Sequence, residues 1–220
     1  FKFKESEIQI APNGVVLDPY LNSPETSEIR NHLGINNQFT VVYTGHLYQG
    51  RGMDLLVNLA KALPEIQFLW VGGKDEDVDR WKTFITEKGI KNILLTGFVG
   101  NDKIPAYQLL GDILVMPYET SIAGSSGGNS VDFCSPMKMF EYMAAGKPII
   151  SSNLPILHEV LNERNAIFCE YNNLDQWVDA INLIKENPDL GQSLGEQARL
   201  DVGMYSWVER ARKSLHGFLE

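Results

Sequence analysis

Phe39-Thr40-Val41-Val42-Tyr43-Thr44, then Gly45-His46-Leu47-Tyr48-Gln49-Gly50-Arg51-Gly52, then Met53 to Ala62, then Ile66-Gln67-Phe68-Leu69-Trp70-Val71-Gly72-Gly73: this stretch decides the fold. A β-branched apolar run ends at a glycine. A polar, glycine-rich loop follows. Leu55, Leu56, Leu59 and Leu63 then recur at helical spacing before a second apolar run stops at a glycine pair. That is strand, helix, strand, and a crossover of this length joins parallel strands. Both strands are apolar almost throughout, as strands covered on both faces are.

The same alternation continues outward from this unit. The spacing predicts a helix over 76–87, a strand over 93–95, a short helix over 103–110 and a strand over 113–116. It then predicts a helix over 136–145, a strand over 148–150, a helix over 155–161 and a strand over 166–169. Helices over 174–184, 190–200 and 207–219 finish the chain. The expected class is α/β, a Rossmann-like parallel sheet flanked by helices. The first 38 residues fit less well. Ile8-Gln9-Ile10 reads as a strand and Pro12-Asn13-Gly14 as a turn, while Leu17 to Asn37 reads as a polar connector with at most one helix. The expected organisation is therefore a leading segment over 1–38, a Rossmann-like domain over 39–203 and a terminal helix over 204–220.

Composition narrows the function. The 220 residues are 44% apolar and 21% charged, the balance of a globular chain. Nineteen basic against 28 acidic residues give a net charge of −9, which argues against nucleic-acid binding through a broad basic face. The two cysteines, Cys134 and Cys169, do not make a disulfide scaffold and suit a reducing cytosol. No apolar run reaches the roughly 20 residues a membrane helix needs. The first residue is Phe1, from which a piece of a longer protein is expected. The histidines show no metal-ligand spacing, so no metal is expected.

Ligands of open parallel sheets bind beyond the carboxyl ends of the strands. The loop from Gly45 to Gly52 lies there, and its glycines match neither a dinucleotide fingerprint nor a Walker loop. Arg51 stands close to a helix start, where the dipole disfavours a cation and a bound anion offsets the cost. A second helix start follows the long loop from Tyr118 to Ser135. Ser135 is expected as its N-cap and Pro136 as its first residue, with the N–H groups of Met137 and Lys138 free for an anion. Two cations at two helix starts on one sheet edge suit a diphosphate. Glu141, one turn after Lys138, reads either as that lysine's ion-pair partner or as an acceptor for two sugar hydroxyls.

From Ala11-Pro12-Asn13-Gly14-Val15 to Ser206-Trp207, the chain resembles the carboxy-terminal half of glycosyltransferases with the GT-B fold, family 4, the glycosyl transferases group 1. Gly45-His46-Leu47 with Arg51-Gly52, Leu95-Thr96-Gly97-Phe98-Val99, and Ser135-Pro136 through Lys138 and Phe140-Glu141 to Ile150 carry the resemblance. It implies a retaining, metal-independent transferase that needs no cofactor beyond its substrate, a nucleotide-diphosphate sugar. Arg51 then takes the place of a diphosphate-gripping lysine, and Glu141 that of a ribose-holding glutamate. Gly45, His46, Thr96, Gly97, Phe98, Val99, Ser135, Pro136, Met137 and Lys138 line the donor. Arg51, Lys138 and Asp132 are the expected catalytic groups. The acceptor site belongs to an amino-terminal half, with the reaction in the cleft between halves, so this piece alone is expected to bind donor without turnover. The implied setting is the cytoplasm, at the inner face of a membrane contacted through the other half, in polysaccharide or glycolipid synthesis. Two positions depart from the family pattern: His46 replaces an arginine, and Phe133 replaces a second glutamate. They sustain an alternative, a degenerate non-catalytic nucleotide-sugar-binding or interaction module. An epimerase shares the architecture but needs acid/base carboxylates, for which Asp132 is the sole candidate.

Overall fold

The structure is a computed structural model and describes residues 10–22, 26–121 and 135–215. Its centre is a sheet of strands β1 (Thr40–Thr44), β2 (Gln67–Val71), β3 (Ile93–Leu95), β4 (Ile113–Met116), β5 (Ile149–Ser152) and β6 (Ile167–Cys169). Every pairing is parallel, in the order β3-β2-β1-β4-β5-β6. The expected Rossmann-like α/β class is what is found. The order reverses between β1 and β4, and a crevice opens at such a switch point.

Strand periodicity divides the core into two layers. Val42, Leu69, Leu114, Met116 and Ile149 face one layer, with residues of α6 (Met137–Ala145) and α8 (Pro188–Asp201). Val41, Tyr43, Phe68, Trp70, Val115 and Ile150 face the other, with α3 (Met53–Ala62), α4 (Asp75–Glu87) and α7 (Leu174–Glu186). A short α5 (Ile104–Leu109) joins the first layer through Ile104, Tyr107 and Leu109.

Several expectations need correction. The helix expected over 155–161 is a single 3-10 turn, Leu157–Glu159. Its N–H groups reach three residues back, Leu157 to Leu154 and His158 to Pro155, a pattern that rarely propagates. The connector holds two helices, α1 (Asp18–Leu21) and α2 (Thr26–Leu33), rather than at most one. Pro12-Asn13-Gly14 makes no turn. Asn13 instead hydrogen-bonds Ser135 through both its backbone N–H and its side-chain amide, and the Val15 N–H donates to the Tyr205 carbonyl. Ile10 is not in a strand, and Ile8 and Gln9 lie outside the described residues. The last helix, α9 (Trp207–Ser214), follows a 3-10 turn over Val202–Tyr205, and residues beyond 215 lie outside the described part.

Ser135 is not the N-cap of α6. That place falls to Pro136 in an extended conformation, and the Ser135 hydroxyl accepts from the Asn13 N–H instead. The leading segment is therefore tied to the start of α6 rather than hanging free. No helix among the described residues is long and apolar enough to cross a membrane.

Candidate functional site

At the carboxyl edge of the sheet, two adjoining cavities share Gly45, Asn101 and Ile104. One, of about 580 Å3, is lined by Gly14, Thr44, Met137, Lys138, Glu141 and Trp207 among others. The other, of about 550 Å3, is lined by His46, Gly72, Lys74, Asp75, Phe98 and Val99 among others. Of the residues singled out in the sequence, Gly45, His46, Phe98, Val99, Met137, Lys138 and Glu141 meet here. Thr96 and Gly97 brace the second cavity from behind. The Gly72 N–H donates to the Gly97 carbonyl at 2.9 Å, and the Thr96 N–H to the Trp70 carbonyl at 3.1 Å. Phe98 is 79% exposed, an aromatic face at the rim. Ser135 and Pro136 adjoin the first cavity by sequence and do not line it. Asp132 and Phe133, with the loop from Gly124 to Ser130, lie outside the described residues.

The two cations converge through aromatic rings that the sequence reading passed over. The Arg51 guanidinium sits 5.0 Å from the centre of Tyr118 and 5.0 Å from that of Tyr48. Lys138 Nζ lies 5.3 Å from the same Tyr118 ring and 4.0 Å over Tyr43. Arg51 comes from the loop after β1 and Lys138 from the first turn of α6, so two separate crossovers deliver charge to one ring. Of the two readings of Glu141, the ion pair with Lys138 is not among the ion pairs of the described residues. Lys138 Nζ and Arg51 Nε are buried and have no hydrogen-bond partner among the described residues. Burial, and secondarily the nearby Arg51, push the Lys138 ammonium well below the usual lysine range. His46 stacks on Tyr48 at 5.2 Å. Burial lowers its pKa, and Arg51, Lys138 and Lys74 lower it further, so the imidazole sits neutral in a field already positive.

Arg51 stands just before α3, which begins where the spacing predicts. Gly52, at φ 74°, is the N-cap, and α3 starts at Met53. A Cβ on Gly52 would come within 1.9 Å of the Pro117 carbonyl oxygen. The left-handed turn and the missing side chain together press the loop against the end of β4, which seats Arg51 on Tyr118. Gly52→Ala is expected to cost about 3 kcal/mol, the upper part of the usual range for point changes. Thermal denaturation checks this; an unchanged midpoint would mean that the loop does not need the contact.

Among the described residues no group of three or more histidine, cysteine, aspartate or glutamate side chains is placed to hold a metal. Of the four buried polar side-chain atoms without a partner among the described residues, Arg51 Nε and Lys138 Nζ belong to cations and suit an anion, while Trp70 Nε1 and Ser152 Oγ are neutral.

The sequence profile of the family described as "Glycosyl transferases group 1" matches residues 25–201. The chain belongs to that family. It is 28% identical over 185 residues to an alpha-galactosylglucosyldiacylglycerol synthase of Streptococcus pneumoniae, covering 81% of this chain and 45% of the synthase. It is also 28% identical over 152 residues to a putative teichuronic acid biosynthesis glycosyltransferase of Bacillus subtilis, covering 68% of this chain and 35% of that protein. The chain thus spans half or less of these relatives. Among solved structures, HepE of Anabaena in complex with UDP-glucose superposes with a TM-score of 0.79 at 18% identity, over 98% of this chain and 58% of HepE. At such identity the likeness shows the fold, and it is the Rossmann-like domain of GT-B glycosyltransferases.

Proposed function

We propose that this family member is the donor-binding half of a retaining, metal-independent glycosyltransferase, and that its cleft holds a nucleotide-diphosphate sugar. The observation that carries the reading is the pair of cations, Arg51 and Lys138, set on one tyrosine ring, each with a buried nitrogen that has no hydrogen-bond partner among the described residues. Burying such charge is costly unless a ligand completes it. A diphosphate bears the charge and the acceptor oxygens that Lys138 Nζ and Arg51 Nε lack. Glu141, which lines the same cavity as Lys138, then receives ribose hydroxyls, and the exposed face of Phe98 in the adjoining cavity meets the base.

In transfer, negative charge grows on the departing diphosphate. Arg51, Lys138 and the N–H groups at the start of α6 stabilise it as fixed electrostatic partners. The acceptor enters from a second, amino-terminal domain, and the chain alone binds donor without turning it over. The relatives named above are a glycolipid synthase and a putative glycosyltransferase of teichuronic acid synthesis, which favours a cell-surface glycolipid or polysaccharide as product. A cytoplasmic site, with the other domain resting on the inner membrane face, fits that product.

Titration calorimetry of the chain with UDP, GDP and ADP tests the reading. Binding of at least one of them is expected, and its loss when the parent nucleoside replaces the diphosphate. No heat with any of the three would favour a non-catalytic module, consistent with the neutral His46.

A further inference from the structure

Glu141 is held by a residue that nothing above assigns. Gln108 lies on α5 and is completely buried. Its Nε2 donates to Glu141 Oε2 at 3.1 Å and to Thr44 Oγ1 at 3.2 Å. Its Oε1 accepts from the Tyr20 hydroxyl at 2.6 Å. The partners fix which way the amide faces. A carboxylate only accepts, so the nitrogen must face Glu141. Burial, and secondarily Glu141 and Tyr142, raise the Tyr20 pKa far above that of a free phenol, so this hydroxyl stays protonated and donates to Oε1. Turning the amide over would set its oxygen against the carboxylate, acceptor against acceptor. Both N–H groups and the oxygen are engaged, and no free rotation remains.

Thr44 is itself secured, since the Tyr142 hydroxyl accepts from its backbone N–H at 2.8 Å. The chain of bonds therefore runs from α1 through α5 and the end of β1 to α6. A neutral partner has a consequence that a cation would not. It occupies one acceptor position of Glu141 and fixes the side chain, yet leaves the negative charge and the other oxygen for hydroxyls entering the cavity. A buried, fully satisfied polar network of this kind is rigid, and a partly satisfied one is not.

We infer that Gln108 is a positioning residue that orients Glu141 toward the vicinal hydroxyls of the donor's ribose, with Tyr20 locking its amide. The inference rests on the proposed ribose role of Glu141. It places specificity for ribonucleotides partly in α1, a segment the sequence reads as a connector.

The test compares UDP, GDP and ADP with their 2′,3′-dideoxy counterparts by calorimetry, in the wild type, Gln108→Leu and Tyr20→Phe. The wild type is expected to prefer the ribonucleotide by about ten- to a hundredfold, the range for hydrogen bonds to a charged group. Gln108→Leu should weaken the ribonucleotide about tenfold more than the dideoxynucleotide, so that the preference shrinks. Tyr20→Phe, which leaves the amide in place but unlocked, should shrink it several-fold and keeps the test usable if Gln108→Leu fails to fold. A purely structural role would weaken both ligands equally in both variants and overturn the inference. Absence of preference in the wild type would instead overturn the ribose role of Glu141, and the inference with it.

Discussion

Arg51→Ala is expected to slow sugar transfer at least a hundredfold in the two-domain enzyme proposed above. Removing one preorganised donor from a developing oxyanion typically costs about a hundred- to a thousandfold in turnover. Arg51 meets the conditions for the full effect. Its guanidinium is pinned by a 2.8 Å hydrogen bond to the Tyr48 hydroxyl and by the faces of Tyr48 and Tyr118. It therefore reorganises little as charge develops. Arg51→Lys should restore only part of the loss, because a point charge cannot reproduce a planar fork seated between rings. Steady-state kinetics separate the outcomes. A fall in turnover larger than the change in donor KM marks a contact that strengthens in the transition state. Turnover within a few-fold of wild type would take Arg51 out of the mechanism.

The second large effect has two opposite signs. Lys138→Met is expected to abolish measurable diphosphate binding while making the empty chain more stable. The ammonium is buried without a hydrogen-bond partner among the described residues, and methionine keeps most of the packing over Tyr43 without a charge to desolvate. An unsatisfied buried polar group costs about 1–3 kcal/mol, so the unfolding midpoint should rise by roughly 5 °C in a chain of this size. The pH dependence has a definite sign. The folded-state pKa of Lys138 is depressed, so the unfolded state binds this proton more readily. On this group's account stability rises as pH climbs from the depressed value toward the ordinary lysine range, about 10.4, and Lys138→Met removes that slope. Binding a diphosphate draws the proton back. Calorimetry in buffers of different ionisation enthalpy should then show greater proton uptake in wild type at alkaline pH than with any residual ligand binding in the variant. A less stable Lys138→Met chain would show that the ammonium is not an uncompensated charge.

Much of the fold was legible because its signals are local. The runs at Val41, Phe68, Leu114 and Ile150 alternate with helical leucine spacings, and parallel strands with right-handed crossovers leave few ways to connect them. The glycine loop and the start of α6 declared themselves by position after strands. What stayed hidden depends on contacts between residues far apart in the chain. Ser135 has every local mark of an N-cap, yet Asn13 takes its hydroxyl. Pro12-Asn13-Gly14 has the composition of a turn, yet its hydrogen bonds go to Ser135. Glu141 was recognised as either the partner of Lys138 or an acceptor for hydroxyls, but the hydrogen bond it accepts from Gln108 on another helix left no local sign beside it. The one local hint of Gln108 was a polar residue beside Leu109 and Leu110 in an apolar stretch. The tyrosines that gather the two cations come from β1, its following loop and the end of β4, and nothing in their spacing links them.

The most direct measurement is a crystal structure of the chain soaked with UDP, or with whichever of GDP and ADP binds it more tightly. The account predicts diphosphate oxygens within about 3 Å of both the Arg51 guanidinium and Lys138 Nζ, with the ribose hydroxyls on Glu141. A nucleotide bound elsewhere, its phosphates touching neither cation while both remain on Tyr118, would contradict it.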